Sequence, residues 1–263
     1  MTGAIMTSAR AQAILITSAI VFSASVSQAQ DVVDGFAARD FVGANGMRMA
    51  YRIFVPDAKQ RVPALPVVIY LHGGGGVGAD NLRQISGGNT NGTHVWIAPQ
   101  AQARHPAIVV APQLPSGNRW DARGADGIAP YATLVIELLA SLSREFAVDL
   151  DRVYLTGQSL GGFGTWDLIT KRPELFAAAV PLCGEGTPSR AQAARHVPIW
   201  VFHGAKDEVV PVAGSREMVA ALRAAGSAVK YTEYPDVGHD VWTVAYIERS
   251  LSDWLFAQKR SSR

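Results

Sequence analysis

The stretch TGQSLGGFGTW, Thr156 to Trp166, sets a single serine between two glycines directly after the apolar run RVYL. A serine hydroxyl is a weak nucleophile until a base takes its proton. Histidine does this best near neutral pH, and a carboxylate fixes the imidazole's tautomer and orientation. Both partners follow in the chain: Asp207 in HGAKDEVVP and His239 in DVGHD. Gly157-Gln158-Ser159-Leu160-Gly161 fits the G-x-S-x-G turn, in which the serine backbone is strained and the residues two before and two after it pack close together. Glycine at both places removes the clash, and the same turn leads into a helix. Ser159 then stands exposed at a helix N-terminus, where the N–H of Leu160 can receive a developing oxyanion. A second donor is expected from HGGGG, residues 72–76, with the N–H of Gly74 preferred and Gly75 next.

Such chemistry requires elements that carry all these groups to one edge. LPVVIYL (65–71) and AIVVAPQ (107–113) are continuous apolar, β-branched runs, the mark of strands buried on both faces. DRVYLTG (151–157), AAAVPLC (177–183), VPIWVFHG (197–204) and VKYTEYP (229–235) read as further strands. Helical spacing marks 131–146, 162–172, 215–226 (closed by Gly226) and one long amphipathic helix over 244–258. FVGANGMRMAYRIFVP reads as a hairpin around a two-residue Asn45-Gly46 turn. Strands alternating with helices imply a mostly parallel sheet covered on both faces, with functional groups at the carboxyl ends of the strands. The glycine loop, Ser159, Asp207 and His239 each follow such a strand end.

Each element has a plainer reading. G-x-S-x-G is short, HGGGG could be a flexible turn, Asp207 a turn cap with Glu208 or Asp236 as the acid instead, and His239 a surface histidine. Their joint order, Ser then Asp then His at strand ends, favours catalysis. His72 and His203 begin loops after buried strands and suit structural roles; His94, His105 and His196 carry no local signal. Cys183, the single cysteine, reads as a buried small hydrophobe, and a disulfide within the chain is excluded. No His, Cys and Asp spacing suggests a metal, the G-K-[ST] ending of a phosphate loop is missing from HGGGG, and no cofactor is expected. Trp120, in the long loop LPSGNRWDARGADGIAP (114–130), is a candidate to stack on an aromatic or sugar substrate, or else packs that loop down. Trp242 is a candidate pocket wall or anchor of the histidine loop, and Trp166 reads as core.

YLTGQSLGGFGTWDL, FAAAVPLCGEG, WVFHGAKDEVVPV and YTEYPDVGHDVW together resemble the secreted α/β-hydrolase esterases, over roughly residues 45–258. The group is often labelled phospholipase/carboxylesterase or "predicted peptidase" and is related to polyhydroxybutyrate-depolymerase-like and feruloyl-esterase-like proteins. The resemblance implies an α/β-hydrolase fold with Ser159 as nucleophile, Asp207 as acid and His239 as base. The glycine-rich LHGGGG departs from the loop expected in that group. Where a lipase would insert a helical cap, only Gly184 to His196 separate two strands, so no large cap is expected. The reading is therefore an exported serine hydrolase of short or aromatic carboxylic esters, including plant-derived ones. A serine peptidase and a non-catalytic binding module on the same fold are the alternatives. Peptidases of this fold generally carry a propeller or cap, and loss of catalysis usually removes a triad residue.

Composition sets the context. Hydrophobic residues at 48% against 17% charged allow a large core and argue against disorder. A net charge of +2 without basic runs argues against a nucleic-acid partner. Residues 1–29 carry one charge, Arg10, then the charge-free AILITSAIVFSASVSQA, with Ser27 and Ala29 at the −3 and −1 positions of a cleavage site. That is the layout of a signal peptide rather than a membrane anchor, so a periplasmic or secreted catalytic domain over 30–263 is expected. N-terminal sequencing of the exported protein should find Gln30 first. A chain still beginning at Met1 or Met6 would overturn cleavage and restore the anchor reading.

Overall fold

Side chains alternate across a strand, so a strand apolar at every position must be covered on both faces. In the computed structural model this holds for β4 (Leu65–Leu71), all of whose residues are buried. Val67, Ile69 and Leu71 enter one core, and Val68 and Tyr70 the other. The model describes residues 1–3, 31–57 and 63–260; the expected signal segment beyond its first three residues, and the Gln30 cleavage point, lie outside them.

Among the described residues the strands are β1 (Val32–Val33), β2 (Phe36–Val42), β3 (Arg48–Phe54), β4, β5 (Ile108–Pro112), β6 (Val148–Gln158), β7 (Ala178–Leu182), β8 (Trp200–Gly204) and β9 (Lys230–Tyr234). They form one sheet in the order β1-β2-β3-β5-β4-β6-β7-β8-β9. Pairing is antiparallel from β1 to β3 and from β3 to β5, and parallel from β5 across to β9. The helices are α1 (Thr90–Ile97), α2 (Pro99–Arg104), α3 (Pro130–Glu145), α4 (Leu160–Lys171), α5 (Val212–Ala224), α6 (Trp242–Ala245) and α7 (Leu251–Phe256). Leu134 and Leu138 of α3, Leu168 and Ile169 of α4 and Met218 and Leu222 of α5 fill the core on one face. Trp96 of α1, Ala245 of α6 and Leu251 and Leu255 of α7 fill the other. The described residues from Asp31 onward make one compact unit. Between β7 and β8 the chain forms only a 3-10 turn over Pro188–Ala194, so no cap stands there. No helix among the described residues is long and apolar enough to cross a membrane.

Three parts of the fold differ from expectation. The hairpin loop has three residues, not two: Gly43 N–H donates to Met47 O at 2.9 Å, and Gly46 takes φ +82°. The single helix expected over 244–258 is two helices, α6 and α7. In one helix Ile247 and Leu251 would share a face. Ile247 is instead 66% exposed and Leu251 buried, so the axis is reset between them, and Glu248 accepts Ser250 Oγ–H at 3.2 Å in the break. The third is α1, which was not foreseen because TNGTHVWI is rich in weak helix formers. Packing makes it helical. Trp96 has no exposed surface and meets Tyr246 and Phe256 edge-on, each at 6.2 Å.

Truncating that ring should therefore unseat α1 from α7. Trp96→Ala is expected to cost about 3–5 kcal/mol and to lower Tm by roughly 10 °C. A Tm within about 2 °C of the parent would show that the ring does not hold the helix.

Candidate active site

β6 runs into α4 through one residue, Ser159, whose backbone sits at φ +52° and ψ −118°. The flanking glycines are matters of space: a Cβ on Gly161 would overlap the Leu71 carbonyl oxygen, and one on Gly157 would overlap the Gly161 carbonyl. The Ser159 N–H donates to Leu182 O at 3.0 Å and approaches Cys183 Sγ at 3.3 Å, while Phe163 N–H donates back to Ser159 O at 3.0 Å. The serine is thus clamped from β4, β7 and its own helix.

The three residues singled out from sequence lie in one hydrogen-bonded series. His239 Nε2 is 2.9 Å from Ser159 Oγ, and His239 Nδ1 is 2.8 Å from Asp207 Oδ2. Asp207 is buried, and its other oxygen accepts the N–H groups of Val209 and Val210 at 2.9 and 2.8 Å. Burial alone would push this carboxyl up; the His239, Val210 and Val209 hydrogen bonds outweigh it and hold it below the usual carboxylate range. The rival acids stand elsewhere. Asp236 is 84% exposed and paired with Lys206, and Glu208 is exposed.

What brings Asp207 and His239 together is a close crossing that the sequence reading missed. Gly204, the last residue of β8, passes so near the loop after β9 that a Cβ would overlap the carbonyl oxygens of Val237 and Gly238. Lys206 N–H donates to Val237 O at 3.0 Å across the same gap.

The glycine loop can be sorted by its N–H groups. Gly73 donates to Asn89 Oδ1 at 3.0 Å, Gly76 to Gly73 O at 3.0 Å and Val77 to Gly74 O at 3.2 Å. Gly74 and Gly75, with Leu160 at the start of α4, keep N–H groups with no acceptor among the described residues. Asn89, in the stretch before α1, gave no sequence signal.

Trp120 requires correction. It has no exposed surface, donates its indole N–H to His72 O at 3.2 Å and packs edge-on to the His72 ring at 5.2 Å. A fully buried ring has no face to offer a substrate, so it packs the loop down. Trp242 is half-buried and stands perpendicular to the His239 ring at 5.4 Å, and Trp166 is core. His72 is buried, with Nδ1 2.7 Å from Gly73 O and Nε2 accepting Leu114 N–H at 2.9 Å. Burial lowers its pKa to about 4, against the pull of the Gly73 carbonyl. His94 and His105 pair with Asp34 and Asp253, and His196 lines a cavity of about 670 Å³ at the amino ends of the strands, away from Ser159.

Among the described residues, Cys183, Asp207 and His239 are close enough together to suggest a metal site. Their chemistry argues otherwise. Burial pushes the Cys183 thiol far up, keeping it protonated, and Asp207 and the His239 Nδ1 are committed to each other.

The chain matches the family described as Phospholipase/Carboxylesterase over residues 57–247. It is 31% identical over 104 residues to the bifunctional acetylxylan esterase/xylanase XynS20E of Neocallimastix patriciarum, covering 39% of this chain and 15% of that protein. It is 27% identical to a monoacylglycerol lipase of Mycolicibacterium smegmatis, covering 77% of this chain and 89% of the relative. Among solved structures, a thermostable esterase superposes with a TM-score of 0.81 at 38% identity, over 86% of this chain and 64% of that one. The chain thus spans under two thirds of that esterase and a small part of XynS20E. The fold is the α/β-hydrolase fold.

The Gly204 crossing yields a structural test. Gly204→Ala should drive the 237–239 loop outward and part His239 from Asp207. A displacement near 1 Å is enough for about a hundredfold loss of reaction at Ser159, read as labelling by a serine-directed fluorophosphonate, with the far-UV spectrum kept. Labelling at the parent rate would show that the close crossing does not set the geometry.

Proposed function

The chain belongs to the phospholipase/carboxylesterase family, and from that premise we propose that it hydrolyses carboxylic esters through an acyl-enzyme on Ser159. The observation that carries this is the unbroken series from Ser159 Oγ through His239 to the buried Asp207, at 2.9 and 2.8 Å. As His239 Nε2 takes the hydroxyl proton, Oγ attacks the ester carbonyl, and the carbonyl oxygen becomes an oxyanion. The N–H groups of Leu160 and Gly74 receive that charge; both are unspent among the described residues and one opens a helix, which favours anions. Asp207 stabilises the imidazolium without taking its proton. Collapse expels the alcohol, protonated by His239, and a water then repeats the cycle to release the acid.

Short or aromatic acyl groups are the proposed substrates. Without a cap between β7 and β8, no large apolar surface is kept covered until a lipid interface appears. Each methylene of a long chain left in water forfeits ~0.8 kcal/mol. Trp242 beside His239 remains as the aromatic wall. The esterase names of two relatives support this reading, whereas the monoacylglycerol lipase, aligned over most of its length, favours a glyceride substrate. Export by way of residues 1–29 is part of the same proposal.

Two measurements test it. Ser159→Ala should lower kcat on a p-nitrophenyl ester on the order of 10⁴-fold or more; activity within tenfold of the parent overturns the assignment. Across acetyl, butyryl, octanoyl and palmitoyl esters and methyl ferulate, kcat/KM should peak at a short or aromatic acyl group. A maximum at palmitoyl with a jump above its solubility limit would favour the lipase reading instead.

A further inference from the structure

We infer that His203 is a positioning residue for this site, holding Asp207 from behind in the orientation that meets His239. The inference rests on the reading above, in which Asp207 serves His239. His203, next to last in β8, has a side chain with no exposed surface. Its Nε2 lies 3.1 Å from Asp207 Oδ2 and 3.0 Å from Val210 O, and its Nδ1 lies 2.7 Å from Ser215 Oγ in the first turn of α5. A carbonyl only accepts, so Nε2 carries the hydrogen and shares it between Val210 O and Asp207 Oδ2. In the neutral ring Nδ1 is then an acceptor, and the Ser215 hydroxyl shares its single hydrogen between this nitrogen and Gly184 O. Burial lowers the His203 pKa, which keeps the neutral form at rest.

Asp207 Oδ2 is thus held on two sides, by His239 Nδ1–H in front and His203 Nε2–H behind, while Oδ1 takes the Val209 and Val210 N–H groups. The loop alone fixes only Oδ1. The second oxygen, the one that meets His239, is fixed by a ring anchored in the central sheet and pinned by α5. The series then runs Ser159, His239, Asp207, His203, Ser215, and Ser215 also lies 3.1 Å from Gly184 O, just beyond β7. The charged groups facing His203 are Asp207, His239 beyond it and Glu233 of β9, which is itself held by Arg216 of α5 at 2.9 Å.

The test replaces the ring and then restores its donor. His203→Leu should lower kcat by roughly ten- to a hundredfold, as loss of an outer partner typically does, with KM little changed. With one donor gone from Oδ2, the carboxylate charge is less spread, so the acid limb of kcat/KM should move to higher pH. His203→Gln, which returns an N–H near the Nε2 position, should recover most of both effects. Ser215→Ala leaves the ring but unpins it and should shift both quantities the same way by less. A folded His203→Leu with kcat within twofold of the parent and an unmoved limb overturns the inference. So does a His203→Gln no better than His203→Leu, since the ring is then only packing. If His203→Leu fails to fold, an unchanged Ser215→Ala overturns it. Ser159→Ala is measured alongside. Loss there with no effect at His203 removes the positioning role alone, whereas activity kept in Ser159→Ala removes the catalytic reading and this inference together.

Discussion

The backbone of Ser159 at φ +52° is the constraint on which the rest depends. A non-glycine residue so far from its preferred regions costs on the order of 1–3 kcal/mol and persists only where its surroundings over-determine it. Here they do. The Leu71 carbonyl of β4 sits against Gly161, the Leu182 carbonyl of β7 accepts the Ser159 N–H, and Gly157 lies under the first turn of α4. Those contacts exist only if β4 and β7 flank β6, which is the observed order at the centre of the sheet. Cys183, next to the serine's backbone, is itself at φ +37°. Two strained residues therefore abut at the carboxyl ends of β6 and β7, and the sheet holds the strain in place.

The second demand is electrical. A carboxylate as buried as Asp207 would be neutralised unless its lone pairs were filled. Four donors fill them: two backbone N–H groups from the loop and two imidazoles from β8 and from the loop after β9. The arrangement requires that the ends of β8 and β9 lie nearly in contact, which is why Gly204 meets the Val237 and Gly238 carbonyls. Gly157 and Gly161 at the serine turn and Gly204 at the acid-to-histidine crossing play parallel parts, each letting two backbones approach closer than a methyl group allows.

How much of this could be read from the sequence follows from what is local. The parallel strands β4 to β8 were legible because two-sided burial leaves apolar runs, as in LPVVIYL, whereas β9, KYTEY, is an edge strand with no buried residue. Ser159, Asp207 and His239 stood out because each follows a strand, in the order Ser, Asp, His. The features missed depend on partners distant in sequence. Helix α1 exists because Trp96 meets Tyr246 and Phe256, and nothing in TNGTHVWI announces it. Trp120 sits in a polar, glycine-rich loop that looks exposed, yet its indole N–H finds the carbonyl of His72, 48 residues earlier. His203 was read as structural from its position after a strand; only the fold shows that its ring ends on the acid.

The glycine loop raises the opposite problem, since four glycines in a row should be too mobile to aim a hydrogen bond. The chain answers by fixing the residue before the useful one. Asn89 Oδ1 takes the Gly73 N–H and the Tyr70 hydroxyl, each at 3.0 Å, while Asn89 Nδ2 donates to Arg83 O at 3.0 Å. His72 is fixed on the other side by Leu114 N–H and by Trp120 against its ring. With the two residues before it held, Gly74 has less freedom, and its N–H meets no acceptor among the described residues. A donor aimed by its neighbours and left unspent is what a developing oxyanion needs, because no protein dipole must turn when the charge appears. The buried Asn89 and the buried His203 therefore act alike at the two ends of the site: each is held in the interior by its own hydrogen bonds and fixes a neighbour in turn, the Gly73 N–H in one case and Asp207 Oδ2 in the other.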